Sequence, residues 1–324
     1  MLEHGGRLNA AARRHGIEPE RWLDLSTGIN PHGWALPAVP ARAWRRLPED
    51  DDALEAAAAA YLGCACVLAT AGSQAAIQAL PRLRAPSRVD VLAPSYAEHA
   101  HAWREAGHVV RAWDGTTLAD DADVLVLVNP NNPTGACRDA AQLLRWHRAL
   151  HARGGWLVVD EAYADACPSL SVAAYARAPG LIVLRSLGKF FGLAGARVGF
   201  VVAEPGLLAA LRERLGPWPI CGAARWLALH ALRDAAWQSA ARRRLLQRSA
   251  RLAALLRRHR LSPAGATALF QWIPTPEASR IEYALAQRGV LVRRFAQPCG
   301  LRLGLPATES DWRRLQGALG EIMR

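Results

Sequence analysis

Apolar residues occur in short, nearly continuous runs through the middle of the chain, and helical segments separate the runs. Such runs are typical of strands that are buried on both faces of a sheet. The helices between them indicate largely parallel strands, because a parallel pair needs a long crossover connection. The pattern predicts strands at 66–70, 88–94, 108–113, 123–130, 155–163, 180–186 and 196–203.

The pattern changes on either side of this region. The first 45 or so residues are rich in glycine and proline, which is typical of an arm that packs on another part of the molecule. A long helical stretch begins near residue 222 and is followed by three short strands and a last helix. These short strands are predicted at 267–273, 289–294 and 300–305.

We therefore predict an α/β protein, and 324 residues are enough for two domains. The predicted parts are an arm (1–45), a large domain with a mostly parallel central sheet (46–221) and a smaller C-terminal α+β domain (222–324).

The composition is that of a globular protein, with 51% hydrophobic and 21% charged residues. No apolar run reaches the ~18 residues of a membrane span, and the first residues lack the apolar core of a secretory signal. The six cysteines form no CxxC pair and no regular framework. We predict a cytoplasmic protein with reduced thiols, with no metal site and no membrane partner.

A net charge of +12 has three candidate explanations: a nucleic-acid partner, an anionic small substrate, or a general bias towards arginine. The densest basic run, at 241–260, also carries leucines at helical spacing, so its arginines are predicted to form the solvent face of an amphipathic helix. No helix-turn-helix, zinc-finger or RNP pattern accompanies the run. We therefore predict that nucleic acid is not a partner.

Candidate chemistry lies at the ends of the predicted strands, where parallel sheets bind their ligands. A carboxylate ends the strand WLVVD, a proline-rigid turn NPNNPTG follows another strand, and the stretch AGSQ opens a helix whose free N–H groups favour a phosphate. Each feature alone is also typical of a helix cap or an ordinary turn. The occurrence of all of them in this order is less easily explained by chance. The candidate residues are Gly72, Ser73, Gln74, Asn132, Asp160, Tyr163, Ser186 and Arg197.

Lys189 is the only lysine among the 40 lysine and arginine residues of the chain. Arginine can replace lysine as a charge or as a phosphate ligand. It cannot act as a primary amine that attacks a carbonyl, because its guanidinium stays protonated. A lone lysine beside these strand ends therefore indicates amine chemistry, although chance in an arginine-rich chain is the alternative.

The order AGSQ, NPNNPTG, VVDEAY, RSLGKFFGLAGARVGF resembles the aminotransferase-like, fold-type I enzymes that use pyridoxal 5′-phosphate, over essentially the whole chain. The resemblance implies that Lys189 links covalently to the cofactor aldehyde. It implies that Asp160 pairs with the pyridinium nitrogen, that Asn132 and Tyr163 hydrogen-bond the ring oxygen, and that Tyr96 stacks on the ring. The residues implied for the cofactor phosphate are Gly72, Ser73, Gln74, Ser186 and Arg197.

The family often carries Tyr-Pro before the acidic stretch, and that tyrosine reaches the cofactor phosphate across a dimer. This chain reads RRLPEDDD, with Leu47 at the tyrosine position. The resemblance therefore implies a homodimer but not this particular contact.

The N-terminal segments EHGGRLNAAARRHG and LDLSTGINPHG resemble the opening of threonine-phosphate decarboxylases of the cobalamin pathway. The resemblance implies a small phosphorylated amino acid as substrate. Arg7 follows the HGG motif, and Gly28 stands where relatives place an asparagine. The residues implied for substrate binding are His4, Gly5, Gly28, Asn132, Arg293 and Arg302.

The implied reaction is decarboxylation of O-phospho-L-threonine to (R)-1-aminopropan-2-yl phosphate, with Lys189, Asp160 and Tyr163 as catalytic residues. The nearest alternative is a histidinol-phosphate aminotransferase, which shares nearly all the cofactor motifs but matches the HGG opening less well. A non-catalytic regulator of the same fold is a further alternative. It would normally carry an added DNA-binding domain, for which about 45 residues leave no room.

Overall fold

The computed structural model describes residues 5–323. The helices are α1 (Leu8–His15), α2 (Ala41–Arg45), α3 (Leu54–Leu62), α4 (Gly72–Ala79), α5 (Ala97–Glu105), α6 (Ala140–His151), α7 (Pro205–Leu215), α8 (Gly222–Arg233), α9 (Ala235–Arg258), α10 (Ala278–Ala286) and α11 (Glu309–Ile322). The strands are β1 (Leu23–Asp24), β2 (Val67–Thr70), β3 (Arg88–Leu92), β4 (Val109–Trp113), β5 (Val124–Val128), β6 (Trp156–Asp160), β7 (Leu181–Ser186), β8 (Gly199–Val202), β9 (Gly265–Thr267), β10 (Phe270–Pro274), β11 (Val290–Leu291), β12 (Arg293–Phe295) and β13 (Gly300–Gly304).

The described chain folds into two compact units. The first, the large unit, consists of Gly33–Asn132 and Cys137–Ala240. The second, the small unit, consists of 5–32, Pro133–Ala136 and 241–323. The domain bounds expected from the sequence, at 45/46 and 221/222, stay a prediction.

The large unit is built on a seven-stranded sheet in the order β2-β8-β7-β6-β5-β3-β4. Its strands are parallel except β8, which is antiparallel to both of its neighbours. Every residue of β5 is buried, as is all of β7 except Ser186 at its end, in keeping with the near-continuous apolar runs. The prediction of an α/β fold with a mostly parallel central sheet is confirmed.

The small unit contains a four-stranded antiparallel sheet, β12-β13-β10-β9, and a short parallel pair of β1 with β11. The leucines at helical spacing in α9 are buried while Arg251, Arg257 and Arg258 are exposed, which confirms the predicted amphipathic helix. In α11 the Thr308 hydroxyl accepts from the Asp311 N–H, and the Asp311 carboxylate accepts from the Thr308 N–H. This reciprocal pair fixes the helix start.

No helix between residues 5 and 323 is both long and apolar enough to cross a membrane. Within the same described part of the chain, no group of three or more histidine, cysteine, aspartate or glutamate side chains is arranged to hold a metal ion.

Candidate active site

The sheet order of the large unit brings the predicted strand ends to one edge. β5, β6 and β7 are adjacent and parallel, so their carboxyl ends meet there, and the antiparallel β8 begins there. Gly199, the first residue of β8, is paired with Thr70 at the end of β2 and with Ser186 at the end of β7. Residues that are far apart in sequence thus share one edge of the sheet.

Gly72 and Arg197 lie in contact at this edge. An ideal Cβ at Gly72 would lie 2.8 Å from Arg197 Nη2, and Gly72 itself has a φ of +67°. A side chain is therefore excluded here by both crowding and backbone conformation. The guanidinium of Arg197 is held beside the first turn of α4.

The start of α4 is tightly packed against β8. An ideal Cβ at Gly199 would lie 2.5 Å from the Ser73 nitrogen. Ala71, at the N-cap, provides no side-chain cap for the first turn. Helix-start N–H groups together with a guanidinium form a good site for a phosphate. The residues present here fit the phosphate of the cofactor that the resemblance implies.

Asp160 is buried at the end of β6, with only 3% of its surface exposed. Its Oδ2 lies 2.9 Å from Nε2 of the buried His99, and its Oδ1 accepts from the Ala162 N–H at 3.0 Å. Because a carboxylate can only accept hydrogen bonds, His99 donates through Nε2 when Asp160 is ionised. The carboxylate is therefore held in one orientation and can pair with a cationic ring nitrogen.

Lys189 lies in the loop after β7 and is partly buried. Its Nζ is 5.7 Å from the centroid of the Tyr163 ring, and the Tyr163 side chain is itself buried. Ser186, at the strand end before the loop, accepts from the Gly188 N–H at 3.2 Å. The structure thus brings the predicted amine and the predicted phenol together.

Tyr96 and Gln74 are joined by a chain of hydrogen bonds. The Tyr96 hydroxyl donates to Gln74 Oε1 at 3.2 Å, and Gln74 Nε2 donates to Glu98 Oε2 at 2.8 Å. Burial, with Glu98 and Asp160 nearby, raises the pKa of Tyr96 well above its ordinary value. The Tyr96 phenol therefore stays protonated at neutral pH and donates to Gln74.

The loop that carries Asn132 is fixed by the two other asparagines of NPNNPTG. Asn129 exchanges two hydrogen bonds with the backbone of Arg138. Asn131 Nδ2 donates to the Pro94 carbonyl at 2.9 Å, and its Oδ1 accepts from the Ser95 hydroxyl at 2.8 Å. Since Ser95 precedes Tyr96, the loops of Tyr96 and Asn132 are tied to each other.

The predicted substrate residues lie in the small unit, apart from Asn132. Arg293 in β12 is directly opposite Arg302 in β13, and both guanidinium groups lie over the Phe295 ring. Arg302 is buried, and its Nη2 donates to the Ser26 carbonyl at 2.7 Å. Gly28 is buried. His4 lies outside the described residues.

Three residues at these sites were not predicted from the sequence: His99, Glu98 and Ser26. His99 lies three residues after Tyr96 on α5, one helical turn away, so the spacing was the available signal. Ser26 contacts Arg302 across 276 residues of sequence. No local pattern indicates such a contact.

Residues 21–318 match the model of the family "Aminotransferase class I and II". The chain is 58% identical to a threonine-phosphate decarboxylase of Pseudomonas aeruginosa, over 98% of this chain and 97% of that protein. It is 43% identical to a threonine-phosphate decarboxylase of a Sinorhizobium species, over 99% and 98% of the two chains. A solved structure of histidinol-phosphate aminotransferase from Sinorhizobium meliloti, in complex with pyridoxal-5′-phosphate, has a TM-score of 0.81. It is 23% identical and covers 100% of this chain and 95% of its own.

Proposed function

This chain belongs to the class I and II aminotransferase family, and we propose that within this family it is a carboxy-lyase. The reaction is decarboxylation of O-phospho-L-threonine to (R)-1-aminopropan-2-yl phosphate and CO2. The observation that carries the proposal is 58% identity, over nearly the full length of both chains, to a protein named threonine-phosphate decarboxylase. The product is a linker precursor for cobalamin, and the protein acts in the cytoplasm.

The cofactor is pyridoxal 5′-phosphate. When bound, it supplies an aldehyde that combines with amines and a conjugated ring that accepts the electron pair left when a bond at Cα breaks. Lys189 would hold the aldehyde carbon, Asp160 the ring nitrogen, and Asn132 with Tyr163 the ring oxygen, while Tyr96 would cover the ring face. The phosphate would be held by Gly72, Ser73, Gln74, Ser186 and Arg197.

The orientation of the Asp160 carboxylate is fixed, because His99 hydrogen-bonds one of its oxygens and the Ala162 N–H hydrogen-bonds the other. A fixed carboxylate in a site with little water stabilises a positive charge on a ring nitrogen more strongly than an exposed one. His99 acts through Asp160 and is a positioning residue.

Lys189 is the chain's general acid–base candidate. Nζ can hold a proton and return it to Cα after CO2 has left, which completes the exchange of a carboxylate for a hydrogen. The buried Tyr163 ring beneath the amine keeps water from that side. Asp160 and Tyr163 are the other residues that we place in the catalytic set.

The substrate carries a carboxylate and a phosphate, and the small unit offers arginines for both groups. Arg293 and Arg302 bind these anionic groups, with Arg302 on the carboxylate, because guanidinium groups bind them through paired hydrogen bonds. His4 and Gly5 contact the phosphate, Gly28 borders the substrate, and Asn132 reaches it from the loop after β5.

The protein acts as a homodimer. Several large apolar side chains of the large unit are exposed, and a second copy would cover four of them. They are Leu36, Trp44, Leu47 and Trp218.

Incubation of cofactor-loaded protein with O-phospho-L-threonine, with no 2-oxo acid present, tests the proposal. We expect continued release of CO2 and formation of aminopropanol phosphate, and we expect K189A to abolish both. A histidinol-phosphate aminotransferase would instead release no CO2 and would stop after one half-reaction per site, until a 2-oxo acid is added as the amino acceptor.

A further inference from the structure

A buried group of charges follows the end of β6, and none of its members belongs to the catalytic set. Glu161 and Asp165 are two carboxylates from the segment after β6, and Arg185 is a guanidinium from the neighbouring strand β7. Their side chains are 0%, 2% and 6% exposed, respectively. Charges this far from water are retained where they are paired and hydrogen-bonded, so these groups hold one another in a fixed arrangement.

The guanidinium of Arg185 joins the two ends of the segment 161–165. Its Nη1 donates to Glu161 Oε2 at 2.7 Å, and its Nη2 donates to the Asp165 carboxylate. Arginine can hold two carboxylates in this way because its planar guanidinium presents several N–H groups as a rigid fork. Tyr163 is the middle residue of the segment whose two ends are joined.

Each of the two carboxylates also accepts hydrogen bonds from other parts of the large unit. The Ser171 hydroxyl donates to Glu161 Oε2 at 2.5 Å, and the Val172 N–H donates to Glu161 Oε1 at 2.7 Å. The Tyr61 hydroxyl donates to Asp165 Oδ1 at 2.7 Å. Hydrogen bonds in such a buried network strengthen one another, so both ends of the segment are anchored.

Tyr61 connects this network to the loop of Lys189 as well. It lies near the end of α3, and its ring meets the ring of Phe191 edge-on, with the centroids 5.6 Å apart. Phe191 is fully buried and follows Lys189 by two residues. One side chain therefore braces both the segment of Tyr163 and the loop of Lys189, whose Nζ lies 5.7 Å from the centroid of the Tyr163 ring.

We propose that Arg185 is a positioning residue that holds the Tyr163 hydroxyl at the ring oxygen of the bound cofactor. The assignment rests on the role that the proposed function gives to Tyr163. Arg185 acts through Glu161 and Asp165, and Tyr61 supports the Asp165 end. A hydroxyl that is held in place donates its hydrogen bond without any reorganisation at the moment of reaction.

The pH at which the absorbance of the bound cofactor changes tests the assignment without relying on turnover. A hydrogen bond donated to the ring oxygen favours the ionised form of that oxygen, so loss of the bond displaces the midpoint of this titration. Y163F removes the hydroxyl itself and gives the direction of the displacement. R185K keeps the charge but cannot hold two carboxylates as a fork, and Y61F removes one donor to Asp165 while keeping an aromatic ring against Phe191.

R225K and Y175F are the matched controls. Arg225 is, like Arg185, a buried arginine of the large unit, and it donates two hydrogen bonds to a carboxylate, that of Asp52. Tyr175 is an exposed tyrosine of the same unit. We expect R225K to lose stability as R185K does, because both variants disturb a buried ion pair, but R225K leaves the partners of the segment 161–165 in place.

We expect the midpoint in R185K and Y61F to move in the same direction as in Y163F, by a smaller amount in Y61F, and to stay unchanged in R225K and Y175F. The kcat of R185K should fall about 10-fold or more with a smaller change in KM, because a displacement of about 1 Å at a reacting centre can cost about 100-fold. Unchanged midpoints in R185K and Y61F, or an equal displacement in R225K, would overturn the assignment. If R185K does not fold, an unchanged midpoint in Y61F alone overturns it.

The same titration separates this assignment from the proposed function. If Y163F moves the midpoint and R185K does not, Tyr163 keeps its proposed role and only the role of Arg185 is wrong. If Y163F leaves the midpoint unchanged, the roles of Tyr163 and Arg185 are both wrong. The titration is carried out without substrate, so failure to release CO2 from O-phospho-L-threonine would overturn the proposed reaction and leave the assignment of Arg185 standing.

Discussion

Asp160 is buried at the end of β6, and its hydrogen-bond partners decide how its carboxylate is oriented. One oxygen faces the imidazole of His99 and the other faces a backbone N–H. A buried carboxylate needs such partners, because burial of a polar group without hydrogen bonds is costly. The Asp160–His99 pair therefore fixes the orientation of the carboxylate at the end of β6.

His99→Phe tests this role at the scale of one hydrogen bond. An aromatic ring is kept but the donor to Asp160 is lost, so we expect kcat to fall roughly 10–100-fold with little change in KM. The pH profile of kcat should shift as well, which a purely structural loss would not cause. His101→Phe is the control, because His101 is exposed on the same helix; equal losses in both variants would contradict the role.

Gly72→Ala tests the crowded contact with Arg197. The new methyl group would meet the Arg197 guanidinium, so we expect the affinity for pyridoxal 5′-phosphate to fall at least about 10-fold, as the charge-assisted bond to the phosphate is lost. Gly63→Ala is a matched control, because Gly63 has a similar φ of +64° but nothing within 4 Å of its Cβ position. Equal affinities in the two variants, measured by cofactor titration, would show that the contact with Arg197 has no part in cofactor binding.

At the scale of elements, the buried strands were the easiest to predict. The predicted run 180–186 of the sheet agrees within one residue, because the strand side chains before Ser186 are buried and nearly all apolar. The run 155–163 was too long. The strand ends at Asp160, and the side chain of the next residue, Glu161, pairs with the buried Arg185.

The run 289–294 was predicted as one strand, but the structure has two. β11 pairs in parallel with β1, whereas β12 pairs antiparallel with β13. A strand that changes partners in this way must be interrupted, and the interruption falls at the buried Val292. The sequence of 289–294 does not indicate this change of partner. The partner of β11 is β1, which is only two residues long and distant in the sequence.

The pair Asp52–Arg225 joins the chain before α3 to α8 and gives the fold a pH dependence. Burial pushes the pKa of Asp52 up, but the hydrogen bonds and charge of Arg225, at 2.6 and 2.7 Å, together with the Leu54 N–H, outweigh it and leave the pKa below its usual range. Because its pKa is lower in the folded state than in the unfolded chain, Asp52 stabilises the fold at pH values above the ordinary carboxyl pKa. This stabilisation is lost as the pH falls through the folded-state pKa.

Asp52→Asn should therefore lower the free energy of unfolding by about 1–3 kcal/mol at neutral pH, with the difference shrinking as the pH falls below about 4. Urea unfolding at several pH values measures this difference. Asp51→Asn is the control, because Asp51 lies beside Asp52 in the same acidic stretch and has a more exposed side chain. A loss that does not change with pH would contradict the ion-pair explanation.

At the scale of the whole molecule, the parts of the site that could be predicted are those carried by motifs at strand ends. Lys189, Asp160 and Arg197 each stand in a short pattern with a chemical meaning. His99, Glu98 and Ser26 could not be predicted, because their roles depend on partners that only the folded chain brings close.

The central claim is that the substrate loses its carboxylate as CO2 and keeps its amine. The most direct test uses O-phospho-L-threonine labelled with ¹³C in the carboxyl group and ¹⁵N in the amine, together with a 2-oxo acid. We predict that mass spectrometry will find ¹³C in CO2 and ¹⁵N in aminopropanol phosphate. If the ¹⁵N instead appears in a new amino acid while the ¹³C remains in a phosphorylated oxo acid, the protein is an aminotransferase and the proposed decarboxylation is wrong.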